Sequence, residues 1–398
     1  MIYFTHMNRL RILSLFVTVL VITIAGIAMS FFARGYKFDP KKFVIKPTGL
    51  LVVTSSPDGA QILVNGALES ATNATISLVP ETYDVEVKKE GFMPWKKRLD
   101  VKKEEVTKVD AALFPIAPSL SAVTFNGAIN PVVSPDGTKV LFGIPSEDSQ
   151  KVGLWVMELG NLPIGFSNDP RRISNLDPTN ASWTWSPDSR EILITIQTAK
   201  YILPSGGFTP QYQLVNIQGA KLEKTFAEWK TESSKKMDSS LSRLPEKLQE
   251  IFKNKTDNVT FSPDNNKVLY TASGSATIPD NLIPQLPGSS TQKQERVIKD
   301  GQTYVYDIKE DRNFLISDQK IKTDSSTIAW FPTSNHLLLA ENNKITIMDY
   351  DGTNRQVIWN GPYDFPYAVP YPNSSRLLML TKLGSGNSLA NLYAVILK

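Results

Sequence analysis

Ser134-Pro135-Asp136-Gly137 recurs as Ser186-Pro187-Asp188-Ser189 and Ser262-Pro263-Asp264-Asn265. Weaker copies stand at Phe331-Pro332-Thr333-Ser334 and Tyr371-Pro372-Asn373-Ser374. Each copy runs into an apolar stretch: Val140-Leu141-Phe142, Ile192-Leu193-Ile194, Val268-Leu269-Tyr270, Leu337-Leu338-Leu339 and Leu377-Leu378-Met379. This is tight-turn chemistry. Proline presets the first corner, Asp or Asn bonds a nearby backbone N–H, and Gly or Asn accepts a left-handed backbone. A turn between two strands, repeated with its flanks, marks a repeat fold.

The prolines of successive copies lie 52, 76, 69 and 40 residues apart. Three segments read as insertions: 198–210, 227–256 and 274–301. Without them, residues 116–398 average about 42 per repeat, the size of a four-stranded propeller blade. The first repeat reads as strands over 128–133, 139–144, 153–159 and 171–174. Third strands are expected again at 212–217, 303–308 and 345–350. The last repeat ends after 391–397 without a fourth strand, and the orphaned stretch 120–125 can supply it and close the ring.

Composition narrows the function. The chain has 398 residues, 41% of them apolar, and a net charge of only +4 without a long basic run, which argues against nucleic acid. There are no cysteines, and His6 and His336 are the only histidines, so thiolate chemistry, a Ser-His-Asp triad or a multi-histidine metal site has no inventory to draw on. No cofactor or metal is implied.

Residues 12–33 carry no charged side chain and are long enough to span a bilayer as a helix. Residues 1–11 are then a short cytoplasmic tail, and the bulk of the chain is extracytoplasmic at a cell membrane. A cleaved signal peptide, cut near Gly26-Ile27-Ala28, is the rival reading. Arg9 and Arg11 precede the run; Arg34, Lys37, Lys41 and Lys42 follow it.

Between 46 and 114 the pattern turns to short strands. Pro57-Asp58-Gly59-Ala60 precedes Gln61-Ile62-Leu63-Val64 and the hairpin signal Asn65-Gly66. Tyr83, Val85 and Val87 alternate with polar residues, and Gly91-Phe92 leads to Trp95. These motifs resemble the PEGA domain, a small immunoglobulin-like β-sandwich of surface proteins. Ala71-Thr72-Asn73-Ala74 and Glu81 depart from that family's pattern. The lysines of this module are offset by acids, which reads as a solvated, mixed-charge face.

The turn phrases, together with Leu154-Trp155-Val156-Met157-Glu158-Leu159 and Ile345-Thr346-Ile347-Met348-Asp349-Tyr350-Asp351-Gly352, resemble the TolB-like, WD40-like β-propeller repeats of the envelope. The expected fold is therefore all-β with one N-terminal transmembrane helix: a PEGA-like sandwich followed by a five-bladed propeller. The resemblance implies a non-enzymatic scaffold whose partner is an envelope protein or a cell-wall glycan.

Long loops on a rigid scaffold are where binding tends to reside. The three insertions are expected on one face, in the sector of the second and third repeats, opposite the turn phrases. Candidate binding residues there are Tyr201, Phe208, Tyr212, Trp229, Leu248 and Phe252. Leu241, Leu244, Leu248, Ile251 and Phe252 recur at helical spacing, with Ser242 as the expected N-cap, and packing on the propeller is the competing use of that stripe. Trp183, Trp185 and Trp330, just before the turns, are expected to pack between sheets. The alternative function is a glycosidase-like enzyme with paired carboxylates at the channel mouth. Asp257 and Asp364 are its best candidates.

Overall fold

The computed structural model describes residues 3–33, 36–39, 44–160, 168–284, 291–319, 321, 326–383 and 389–398. Arg34, Lys41, Lys42 and the middle of the 274–301 insertion lie outside them. The chain forms two compact units. The first contains Met1–Glu90 and Pro94–Leu113; the second contains Gly91–Met93, Phe114–Gln285 and Lys293–Lys398.

The first unit opens with helix α1 (Tyr3–Ala33). Within it, Leu13–Phe31 has a mean hydropathy of 2.4 and buries none of its surface in the protein, and it is long and apolar enough to cross a membrane. Three of its hydroxyls bond back within the helix: Ser14 donates to the Arg11 carbonyl at 2.9 Å, and Thr18 and Thr23 each donate four residues back at 2.8 Å.

Nine strands follow: β1 (Lys37–Asp39), β2 (Val44–Lys46), β3 (Gly49–Ser56), β4 (Gln61–Val64), β5 (Ala67–Ala71), β6 (Ala74–Leu78), β7 (Glu81–Lys88), β8 (Trp95–Val101) and β9 (Val106–Ala112). Apart from the β1–β2 pair they form two sheets, ordered β6-β3-β9 and β5-β4-β7-β8. The Asn65-Gly66 pair turns β4 into β5, both residues at positive φ (48° and 82°). Along β7, Tyr83, Val85 and Val87 are buried while Asp84 is exposed, as period-two alternation requires. At the divergent 71–74 segment, the Thr72 hydroxyl accepts the Ala60 N–H at 2.9 Å and lies 2.6 Å from Ser55 Oγ, fixing the turn with side-chain bonds.

The second unit begins with β10 (Leu120–Ala122) and then builds five antiparallel sheets in succession. Sheet one holds β11 (Ile129–Val133), β12 (Lys139–Ile144), β13 (Gly153–Glu158) and β14 (Arg171–Ser174). Sheet two holds β15 (Ala181–Trp185), β16 (Glu191–Ile196) and β17 (Ala199–Pro204), and is followed by helices α2 (Ala220–Leu241) and α3 (Glu246–Asn254). Sheet three comprises β18 (Thr256–Phe261), β19 (Lys267–Ala272), β22 (Thr303–Asp307) and β23 (Arg312–Ser317), with the small hairpin β20 (Ala276–Thr277) and β21 (Val297–Ile298) between β19 and β22. Sheet four has β24 (Ser326–Trp330), β25 (His336–Glu341), β26 (Lys344–Asp349) and β27 (Gln356–Asn360). Sheet five has β28 (Ala368–Pro370), β29 (Arg376–Thr381) and β30 (Asn391–Ile396), and β10 supplies its fourth strand by pairing Leu120 with Val395.

The apolar runs after each turn are buried on both strand faces. Val140 and Phe142 of β12 share a core with Leu378 and Leu392 of sheet five, whereas Leu141 between them packs with Trp183 and Ile192 of sheet two. A strand that faces two neighbours has no polar side, so alternation gives way to a continuous apolar run.

Sheet three differs. Its Leu269 and Val305 pack with Leu337 and Met348 of sheet four, but Val268 and Tyr270 meet Leu244, Leu248 and Phe252 of the helical segment and Ile278 and Ile298 of the hairpin. The corresponding side of sheet one packs against another sheet. Two insertions thus cover this face.

Two expectations are corrected. The third strand of sheet two is β17, inside the expected 198–210 insertion, and 212–217 is not a strand; Gln211–Gln213 is a single 3-10 turn. The β16–β17 hairpin turns at Gln197 with φ of 51°, a residue type that gives no turn signal. Ser242 is also not an N-cap. It closes α2, and Pro245 precedes α3 without a side-chain cap.

Candidate functional site

Each Ser-Pro-Asp phrase is a self-contained hydrogen-bond unit. Ser134, Ser186 and Ser262 each donate Oγ–H to the carboxylate two residues on, at 2.6 Å in all three copies. The same hydroxyls accept the N–H of Lys139, Glu191 and Lys267 at 3.0, 2.9 and 2.9 Å. The degenerate fifth copy keeps the geometry with Asn373, whose Oδ1 accepts from Ser375 N–H at 3.0 Å. The fourth phrase position is left-handed in every copy: Gly137 (φ 72°), Ser189 (63°), Asn265 (58°), Ser334 (61°) and Ser374 (59°).

Two of these left-handed serines reach the preceding sheet. Ser189 Oγ accepts the Asp136 N–H at 3.2 Å, and Ser334 Oγ accepts the Asp264 N–H at 3.0 Å. The tryptophans run parallel to these links. Trp183 and Trp185 donate Nε1–H to the Asn130 and Val132 carbonyls at 3.0 and 2.9 Å, and Trp330 donates to Thr260 at 3.0 Å. The indoles therefore join sheets, as their sequence positions suggest.

The first two phrases and the second half of α2 enclose a cleft of about 500 Å³. Pro135, Asp136, Pro187, Asp188 and Ser189 form the turn side; Trp185 and Phe261 come from the ends of β15 and β18; Ser233, Lys236, Met237 and Ser240 come from α2. Lys236 Nζ donates to the Pro187 carbonyl at 2.7 Å and pairs with Glu232 at 3.1 Å. The helical insertion therefore reaches the turn phrases, and the expectation of opposite faces is overturned. Connectivity fixes where an insertion leaves and rejoins a sheet. A 22-residue helix is about 33 Å long, against roughly 20 Å for a six-residue strand, so its middle can extend past either end.

Both cleft carboxylates are held ionised. Burial pushes Asp136 up, but bonds from Ser134 and from the N–H and hydroxyl of Thr138, with Lys139 nearby, outweigh it and leave the carboxyl below its ordinary value. For Asp188 the Ser186 hydroxyl is the main cause of a lowered value. The bonds from within each turn fall on Oδ1.

The six expected binding residues do not form one site. Leu248 and Phe252 are 0% and 2% exposed in the core beneath the helices, so the packing use of that stripe prevails and these two are withdrawn as partner contacts. Tyr201 is half-buried on β17 against the core between sheets one and two. Phe208 and Tyr212 are 54% and 84% exposed on the segment after β17, Phe208 with the Arg172 guanidinium 5.9 Å from its ring. Trp229 is half-buried on α2. Asp257 is exposed on β18 beside a register shift, and Asp364 donates its backbone N–H to Leu380 between β27 and β28. Among the described residues no cluster of His, Asp and Glu could hold a metal ion. The cleft residues were hidden in the sequence because the phrases read as turns and Lys236 as one of many helix-surface lysines.

The PEGA domain family matches residues 48–116. No curated protein matches the sequence. Among solved structures, a TolB protein from Agrobacterium tumefaciens is 13% identical with a TM-score of 0.22, over 68% of this chain and 73% of that one. TolB from Acinetobacter baumannii is 11% identical with a TM-score of 0.23, over 80% of this chain and 60% of that one, so the chain spans less than two thirds of its length. The β-propeller domain of the Trilobed protease from Pyrococcus furiosus is 14% identical with a TM-score of 0.18, covering 88% and 83%.

Proposed function

We propose that this chain is a membrane-anchored, extracytoplasmic scaffold whose five sheets are the blades of a propeller that binds an envelope protein or a cell-wall glycan. Helix α1 is the anchor, with its N-terminus inside, and the PEGA-like sandwich is the module between anchor and propeller. Five successive meander sheets, with β10 joined to β30, support the ring reading. An apolar helix that buries nothing in the protein supports the anchor, because its side chains need lipid around them.

The observation that carries the binding role is the cleft between the first two phrases and α2. It is concave, walled by proline and aromatic rings, and edged by hydroxyls and charges, as ligand sites usually are. It involves blades two and three through Trp185, Phe261 and α2. Asp136 and Asp188 do not suit a general acid, which needs a raised value to carry a proton at neutral pH, since both are shifted the other way.

The test is capture by the full chain in detergent, offered solubilised envelope proteins and purified wall glycan separately. Retention of one class supports the scaffold reading. Hydrolysis of the glycan that Asp257→Asn or Asp364→Asn abolishes would overturn it in favour of a glycosidase.

A further inference from the structure

The end of the sandwich that meets α1, within the first unit, carries an inference that rests on the membrane-anchor reading above. Leu13–Phe31 has 19 residues, about 28 Å of helix against about 30 Å of hydrocarbon in a bilayer. Phe31 therefore marks the hydrocarbon boundary. Tyr36 folds back onto it: its N–H donates to the Phe31 carbonyl at 3.0 Å, and its ring lies edge-on to the Phe31 ring at 5.0 Å. Tyr36 also meets the turn between β8 and β9. Its hydroxyl donates to Glu104 Oε1 at 2.9 Å, and Lys103 Nζ lies 5.4 Å from its ring centroid. That turn is fixed to β3. Glu104 N–H donates to the Thr48 carbonyl at 3.1 Å, Leu50 N–H donates to the Glu105 carbonyl at 2.9 Å, and a Cβ added at Gly49 would clash with the Lys102 carbonyl.

Apolar side chains are exposed at the same end. Val106, the first residue of β9, is 53% exposed, and Val79, which follows β6 where Leu78 pairs with Gly49, is 39% exposed. We infer that this end of the sandwich sits in the lipid headgroup layer of the membrane that α1 crosses, held there by Tyr36, with Val79, Val106 and the β8–β9 turn facing the lipid. The headgroup layer is about 5–8 Å deep on each side of the hydrocarbon, the scale of the steps from Phe31 to Tyr36 and from Tyr36 to Lys103. Tyrosine and lysine suit that layer, each with an apolar body and a polar tip. Charge does not choose the lipid. Lys46, Lys102 and Lys103 stand against Glu81, Glu104 and Glu105, so the surface fits zwitterionic headgroups as well as anionic ones.

The chain has no cysteine, so one introduced residue takes one label. Full chains with Val106→Cys or Lys88→Cys, each carrying an NBD fluorophore, are reconstituted into phosphatidylcholine vesicles whose headgroups bear a nitroxide quencher. Lys88 ends β7, whose first residue Glu81 pairs with Val101 beside the turn, so the two labels stand roughly 23 Å apart along the strand. Quenching should be several-fold stronger at position 106 than at 88, and unchanged when phosphatidylglycerol is mixed in. Tyr36→Ala with Glu104→Gln should bring quenching at 106 down towards that at 88. Equal quenching at the two positions, quenching only with phosphatidylglycerol, or no response to the Tyr36/Glu104 change would each overturn the inference. An alkaline carbonate wash separates the two readings. A chain that stays in the vesicles but is not quenched at 106 sinks this inference alone; a chain released by the wash sinks the anchor reading with it.

Discussion

Asp136 donates its backbone N–H to Ser189 Oγ at 3.2 Å across 53 residues of sequence, and Trp183, six residues before Ser189, donates to Asn130, six before Asp136. The pair Asp264–Ser334 and the pair Thr260–Trp330 repeat the arrangement at an offset of 70. Sheets one and two, and sheets three and four, are therefore pinned at two levels, by a hydroxyl at the turn and an indole on the strand. Phrase position four is where the first link arises. It needs a left-handed backbone, which glycine gives most easily, yet serine there adds an acceptor that glycine lacks.

Ser189→Gly keeps the backbone conformation and removes only the hydroxyl. The expected loss is about 1 kcal/mol in urea unfolding, the net worth of one hydrogen bond with a partly buried donor left behind. Ser334→Gly should cost a similar amount, while Ser374→Gly, for which no such link is formed among the described hydrogen bonds, should cost less.

Trp185→Phe retains the apolar packing but leaves the Val132 carbonyl without its indole donor. A loss of about 1–2 kcal/mol is expected by denaturant titration. Trp330 is less buried than Trp185, so Trp330→Phe should cost less.

Phe252→Ala removes a ring that is 2% exposed and lies edge-on to Tyr270 at 5.0 Å and to Tyr306 at 6.2 Å. The expected cost is about 3–5 kcal/mol, measured by thermal or urea unfolding. If Phe252 were a partner contact, the variant would keep its stability and lose only capture. Removing 274–301 should likewise destabilise sheet three, because Ile278 and Ile298 belong to the same core.

Arg296 clips the hairpin insertion to sheet three. Its guanidinium bonds the fully buried Asp311 carboxylate at 3.2 Å and the Asp311 carbonyl, and Tyr306 donates its hydroxyl to the same carboxylate. Arg296→Met leaves that charge buried without its cation, at a cost of about 3–5 kcal/mol. Arg296→Met with Asp311→Asn should recover part of the loss, read as Tm and as protease resistance of the hairpin.

Acid should act on the third phrase. Burial pushes the Asp264 carboxyl up, but bonds from Ser262 and Asn266, with Lys267 nearby, outweigh it and hold it at about 2, below the ordinary 3.8. A depressed value stabilises the folded state above the unfolded value, and the gain is lost as pH falls through the folded one. The Tm difference between the native chain and Asp264→Asn should be constant above about pH 5 and shrink between about pH 4 and pH 2. A difference independent of pH over that window would show that the carboxylate contributes nothing.

Much of the fold was legible because its signals are local. A proline, a carboxylate and a left-handed residue within four positions make a turn wherever they fall, so the phrases located the inner strands of each sheet. The orphaned strand at 120–122 was legible by counting, since one sheet lacked a partner and one strand lacked a sheet. The turn at Gln197 was not, because nothing in a glutamine announces a positive φ; that hid β17 and misplaced an insertion. The candidate site was legible only in part. Trp185 and the phrases were visible, but as structure, and the helical stripe offered as a contact is core.

What the sequence determined by itself is the repeated turn and the apolar runs it separates, both set by bonds and burial within a few residues. What only the tertiary structure decided is where α2 lies. Its chain ends constrain it to the gap between sheets two and three, but its length and the packing of Leu241, Leu244, Leu248 and Phe252 on sheet three carry Ser233–Ser240 against the phrases. A long-range packing choice of that kind depends on surfaces from separate repeats meeting in space, which no local pattern records. It joins the turns to the helix and makes the cleft.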